Sequence, residues 1–360
     1  MIAPLLVCAW LADTEVAPTD PPPPEMVEGA PAPPTAAGTR PHSIHVRPGI
    51  EAFGQYALRW TNDGQDTRWF HQFDVPRVHA SLEGDFDNAR ARVVLEGVRS
   101  TGEGSLVGVA GDSVVLRLRE AFAAYRFDFG LEGAAGIVPT FTVPEMDGTW
   151  MLRVVSASTL EVSGLGTPAD LGATARYALP KKLGWVGLGA YNGEGYARRE
   201  LNRGKTLEGA AEVHPLATVG VLPLALFASY TYGSSGVDSA RADRLTAGVL
   251  WQGKKLRAGA LLTYGWGVGP DGQRNAVVLD SFLRVDPFGP LVFGARASSW
   301  LRNATTGDSV TTFTVSAGVK IAAPLEVHLI GARSIPSSTA RDAVPGSDFT
   351  ETRLATRIVF

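Results

Sequence analysis

Residues Phe349–Phe360 read FTETRLATRIVF. Thr350, Thr352, Leu354, Thr356, Ile358 and Phe360 fall on one side of an extended chain. Glu351, Arg353, Ala355, Arg357 and Val359 fall on the other. Side chains alternate across a strand with period two, so this stretch is a β-strand with one apolar and one charged face. Ile50–Trp60 repeats the pattern. Ile50, Ala52, Gly54, Tyr56, Leu58 and Trp60 oppose Glu51, Phe53, Gln55, Ala57 and Arg59. About ten tilted residues of this kind cross the hydrocarbon layer of a bilayer.

Working outward, the same alternation predicts sixteen strands: 49–61, 73–84, 88–99, 114–128, 130–139, 168–179, 183–192, 205–215, 222–232, 241–252, 254–265, 274–285, 290–301, 309–321, 324–333 and 349–360. Odd-numbered connections are mostly long and even-numbered ones mostly short. Short periplasmic turns alternating with long outer loops are what an up-and-down barrel requires. The expected fold is therefore all-β: a transmembrane antiparallel up-and-down β-barrel of about sixteen strands. Glu120 would break the apolar face of its strand, which predicts a bulge, a register change or a position near the rim. Arg117–Phe127 also reads as a helix, but the flanking Val114-Val115-Leu116 favours a strand.

Composition narrows the alternatives. The 360 residues are 45% hydrophobic and 19% charged, with 41 Gly and a net charge of −3. One cysteine excludes a disulfide scaffold. No apolar run is long enough for a transmembrane helix, and near-neutral charge implies no nucleic-acid partner. Residues 1–17 begin with an apolar run, MIAPLLVCAWLA, and read as an export-signal remnant or tail. Residues 18–48 read as a disordered linker, because nine prolines between positions 18 and 41 remove backbone donors. The barrel is expected over 49–360.

With the more polar face of each strand turned inward, the pore-lining basic residues are Arg59, Arg77, Arg90, Arg92, Arg117, Arg119, Arg176, Arg244, Lys255, Arg257, Arg284, Arg296, Lys320, Arg353 and Arg357. The inward acids are Glu51, Glu83, Glu96, Glu132, Asp170, Glu208, Glu212, Asp280, Glu326 and Glu351. Bases outnumber acids on that face, and arginine outnumbers lysine 27 to 6 in the chain. A planar guanidinium suits oxyanions, and rings of charge bias the ions a narrow pore admits. Plain solvated walls account for the same residues. Trp60, Tyr191, Tyr230, Tyr232, Trp251, Tyr264, Trp266, Trp300 and Phe360 collect near strand ends. They fit interfacial girdles or aromatic packing in a β core.

The longest connection, 140–167, is the third outer loop. It holds Glu145, Asp147, Arg153 and Glu161 beside Trp150, Met151 and Leu152. A long loop with its own apolar residues should pack on something. The expectation is that it folds inward as a constriction loop; a subunit contact is the other reading.

Five segments, in order, resemble the phosphate-selective porin family: Leu118–Phe127 (LREAFAAYRF), Gly136–Glu145 (GIVPTFTVPE), Ala169–Gly172 (ADLG), Gly189–Tyr196 (GAYNGEGY) and Lys205–Pro215 (KTLEGAAEVHP). The similarity spans about residues 114–215 and continues elsewhere as strand rhythm. It implies a bacterial outer membrane location, a homotrimer, an inward third loop and a lumen lined by basic residues. Phe360 with Ile358 resembles the outer-membrane assembly signal, which implies the assembly machinery as a partner beside membrane lipid. Two departures stand out. The loop carries more acids than bases, and Ala210–Ala211 replace a position that is often basic.

The expected function is a porin passing small hydrophilic solutes by diffusion, with an anion or phosphate preference as the finer expectation. Neither a catalytic centre nor a cofactor or metal is expected. Of six histidines only His42 and His45 are near each other, and no nucleophile elbow or nucleotide loop occurs. The alternatives are a non-conducting barrel acting as an anchor or scaffold, a barrel-embedded hydrolase, and a soluble β-rich secreted protein.

Overall fold

The computed structural model describes residues 44–62, 66–99, 114–197, 203–220, 223–235, 240–268, 274–344 and 346–360. Sixteen strands among them close into one antiparallel barrel. They are β1 (Ile44–Asn62), β2 (Thr67–Phe86), β3 (Ala89–Arg99), β4 (Val114–Arg126), β5 (Leu131–Pro139), β6 (Ala169–Leu179), β7 (Gly184–Tyr191) and β8 (Thr206–Val213). The second half comprises β9 (Leu224–Tyr232), β10 (Asp243–Gln252), β11 (Leu256–Val268), β12 (Arg274–Val285), β13 (Leu291–Asn303), β14 (Asp308–Ala322), β15 (Leu325–Pro336) and β16 (Phe349–Val359). Each strand pairs with its sequence neighbours. β1 pairs with β16 from Glu51↔Val359 to Thr61↔Phe349, and this closes the ring.

All sixteen expected strands are present. The tail and linker expected before residue 49 lie outside the described residues up to position 43. Ile44–Pro48, expected in the linker, instead extend β1 and pair with Leu82–Phe86. Lys255, expected on an inward strand face, sits exposed in the turn between β10 and β11. Arg117–Arg126 is strand, with a bulge where the carboxylate demanded one. Val94 pairs with Glu120 and Leu95 with Leu118, so Arg119 is the extra residue. The bulge moves Glu120 off the exposed face, beside Arg92 at 3.4 Å.

Alternation governs the wall. In β7, Trp185 and Tyr191 are buried while Val186 and Leu188 are exposed. In β9, Ala225, Phe227 and Ser229 are buried while Leu226 and Tyr230 are exposed. Leu245, Leu262, Leu279, Leu283, Phe293, Phe313, Val315, Leu329 and Leu354 continue the exposed apolar face. The opposite face carries the arginines and carboxylates. Two of the strand-end aromatics take the packing reading instead of the girdle one. Tyr191 is buried with its hydroxyl on Glu208, and Trp300 packs on the apolar cluster.

Between β5 and β6 the chain forms α1 (Thr142–Trp150) and α2 (Thr159–Ser163). Val143, Met146, Trp150, Leu152, Val155 and Leu160 are almost fully buried. Their cluster includes Phe53, Trp185, Phe227, Leu250, Leu261, Phe282, Val292 and Ile330, drawn from β1, β7, β9–β13 and β15. Burying side chains of this size stabilises by about 1.5–3 kcal/mol each. Glycines make the room. A Cβ on Gly187 would meet the Phe141 ring at 2.7 Å, and one on Gly294 would meet Leu152 at 2.7 Å.

Candidate functional site

The candidate site is the charged face of the barrel together with residues 140–168. Helix α1 has no side-chain cap of its own at Phe141. Glu208 of β8 supplies one. Its carboxylate accepts from the Phe141 amide at 3.1 Å, the Thr142 amide at 3.2 Å and the Thr142 hydroxyl at 2.7 Å. The far end has no basic residue in its last turn. Arg257 donates to the Gly148 carbonyl and Arg284 to the Met151 carbonyl, both at 3.1 Å. An anion at the amino end and cations at the carboxyl end complement the helix dipole. Here the barrel wall provides both.

The rest of the segment is braced by backbone carbonyls. Arg353 donates to Val155 O at 2.6 Å and Arg296 to Ala157 O at 2.9 Å. Arg296 is itself held by Asp280, with Nε–Oδ1 at 2.8 Å. Buried carbonyls need donors, and the wall arginines satisfy them.

The expected loop residues divide into two groups. Asp147, Arg153 and Glu161 form one ion-paired set, and Glu161 also accepts from Arg77 at 3.3 Å. Burial opposes ionisation of Glu161, but Arg153 and Arg77 outweigh it and hold the carboxyl below its usual range. Asp147 moves the other way, because burial exceeds the attraction of Arg153. Glu145 stands apart. Gln252 donates to it at 3.1 Å and to Glu212 of β8 at 2.9 Å. Burial, then the charge of Glu212, pushes Glu145 up to about 8.

A second hub surrounds Glu96, which is fully buried. It meets Arg77 at 3.0 Å, Arg117 at 2.7 Å, Arg119 at 3.1 Å and His79 at 3.2 Å, and accepts from the Tyr196 hydroxyl at 2.7 Å. Tyr196 is delivered by a turn over Asp170, whose carboxylate accepts from Gly193 N at 2.8 Å and Gly195 N at 3.3 Å. The ADLG and GAYNGEGY segments thus meet in space.

The remaining expected residues are placed as follows. Arg59 donates to Glu351 at 2.6 Å, Arg90 to Glu132 at 3.2 Å and Arg357 to Glu51 at 2.6 Å. Arg284 and Lys320 share Asp286. Arg176 lies over the Trp185 ring at 4.0 Å. Arg244 lines a small cavity with Thr206, Glu208 and Asp170. Ile358 pairs with Ala52, and the Phe360 backbone exchanges two hydrogen bonds with Ile50 at 2.9 and 3.0 Å. Sequence reading missed the anchoring parts of Glu208 and Glu96 and passed over Gln252 and Tyr196. Nothing local marked Glu208 or Gln252, since no helix was expected at 142–150. Among the described residues no group of three or more His, Cys, Asp or Glu is arranged to hold a metal ion.

No family model matches the chain. No curated protein matches it either. Solved structures do. An anion-selective porin from Comamonas acidovorans is 12% identical at a TM-score of 0.62, covering 88% of this chain and 100% of that one. OmpF of Salmonella typhi is 13% identical at 0.63, covering 88% and 97%. The trimer form of OmpT from Vibrio cholerae is 13% identical at 0.56, covering 88% and 100%. At these identities the similarity establishes the fold: the closed sixteen-stranded barrel that these porins share.

Proposed function

We propose that the chain is an outer-membrane porin, a water-filled channel for passive diffusion of small hydrophilic solutes, narrowed by residues 140–168 lying within the barrel. One observation carries this reading. The closed wall exposes leucine, valine and phenylalanine on one face, and on the other holds ionised side chains that grip a buried segment. An apolar belt of that extent is unsuited to water and suited to acyl chains. Segment contacts with β2, β8, β10–β13 and β16 support an internal position, since those strands lie far apart around the ring. Porin neighbours support the outer membrane and diffusion, and the trimer form of OmpT supports a homotrimer.

An anion preference is the finer part of the proposal. Three wall carboxylates lie beneath their arginines. Arg117 is 32% exposed over Glu96 at 0%, Arg59 34% over Glu351 at 6%, and Arg92 40% over Glu120 at 12%. A passing ion therefore meets guanidinium first. The neighbour from Comamonas acidovorans is described as anion-selective, which agrees. Planar-bilayer recording tests both parts. Stepwise currents with a reversal potential favouring chloride are expected. Silence from folded protein removes the channel reading, and cation preference removes the finer one. Adding phosphate as competitor asks whether phosphate is preferred among anions.

A further inference from the structure

The exposed face carries a groove that the channel does not use. It has a volume of about 520 Å³ and runs across β5–β10. Gly209, Ala211 and Ala228 form its floor, between Tyr177 and Leu188 on one side and Tyr230 and Leu245 on the other. Register explains the shape. Leu188 pairs with Gly209 and Gly209 with Tyr230, so a residue without a side chain sits between two large ones.

The groove's short-turn end is flanked by positive charge. The chain has six lysines. Lys181 and Lys182 close the β6–β7 hairpin, and Lys254 and Lys255 close β10–β11. All four are exposed. Between these two turns lies the β8–β9 turn. It docks on its neighbour through His214 N to Leu183 O at 2.9 Å and leaves Leu216 and Val219 exposed. Tyr177 precedes Lys181 by four residues and Val186 follows Lys182 by four. At no more than about 3.3 Å per residue, the groove reaches to within about 13 Å of Lys181 and Lys182. Arginine dominates the charged wall, whereas lysine, a flexible hydrated point charge, is concentrated at this rim.

We propose that this groove binds one anionic phospholipid, with an acyl chain over Gly209 and the phosphate between the two lysine pairs. The occupant follows from the juxtaposition. An apolar channel ending at clustered cations matches a molecule with an apolar tail and an anionic head. The proposal rests on the outer-membrane reading above.

Native mass spectrometry of the detergent-purified chain, with phosphatidylglycerol or phosphatidylcholine added, tests it. One phosphatidylglycerol per chain should persist where phosphatidylcholine does not. The K181Q/K182Q variant should weaken the preference by about fivefold per lysine. Gly209→Leu, whose Cβ meets Leu188 at an ordinary 3.6 Å, should fill the groove and remove the phosphatidylglycerol adduct. Equal adducts of the two lipids, or an unchanged K181Q/K182Q variant, overturns the proposal. So does a Gly209→Leu variant that changes subunit number while keeping its lipid, because the groove is then a subunit contact. Heat-modifiable gel mobility checks that each variant folds. Unchanged conductance in the variants keeps this result separate from the channel reading.

Discussion

Glu208 and Thr142 meet twice: one carboxylate oxygen accepts from the Thr142 amide at 3.2 Å and from its hydroxyl at 2.7 Å. A wall residue thereby does for α1 what a capping side chain does for an ordinary helix. Glu208→Ala should cost about 0.5–2 kcal/mol of local stability, the usual loss on removing a cap. Open-channel noise and unitary conductance should both rise, read in single-channel records. Records indistinguishable from the parent would show that the cap does not hold the segment.

Trp150 is the largest buried side chain of the segment and packs on Phe282 at 5.6 Å between centroids. Trp150→Ala should cost about 3–5 kcal/mol. The strand ladders do not depend on it, so gel mobility should still show a closed barrel. Chymotrypsin should then cut the variant within 140–168 faster than the parent.

Glu145 has a predicted pH signature. Burial and Glu212 raise its folded value to about 8 from about 4.5. Between those values the folded protein holds a proton that the unfolded chain has released. Its contribution to stability is therefore complete below about pH 4.5 and is lost as pH rises through 8. The unfolding midpoint in detergent should fall between pH 5 and 9. Glu145→Gln, which cannot ionise, should flatten that slope. A parent protein with no slope over this range would contradict the assignment.

Glu96 neutralises part of a dense cationic cluster. Glu96→Gln leaves Arg77, Arg117 and Arg119 facing one another without their shared carboxylate. Breaking a buried pair from one side costs about 3–5 kcal/mol. The reversal potential should shift further toward anions. A shift toward cations would mean that permeating ions do not pass this wall.

The strands were legible because period two is written locally. Even the Arg119 bulge could be anticipated, since a carboxylate at Glu120 had no place on an apolar face. The segment between β5 and β6 was legible only as a long apolar loop. Its helix α1 lacks a cap and a basic last turn, the usual local markers. Both are supplied by Glu208, Arg257 and Arg284, distant in sequence. Pairing across the wall was equally hidden. Counting inward charges showed a basic excess but not that Glu96 and Glu351 lie beneath their arginines. The start of β1 was missed because Ile44–Pro48 adjoins a proline-rich stretch and contains Pro48 itself.

The hydrogen bonds joining Ile50 to Phe360 bring together residues from the first strand and just beyond the last. Until that seam forms, any partial arc of hairpins has two raw borders able to template against another molecule. Productive folding is thus a race between sealing the hoop and sticking to a neighbour, and it is decided by the most distant pair of strands along the chain.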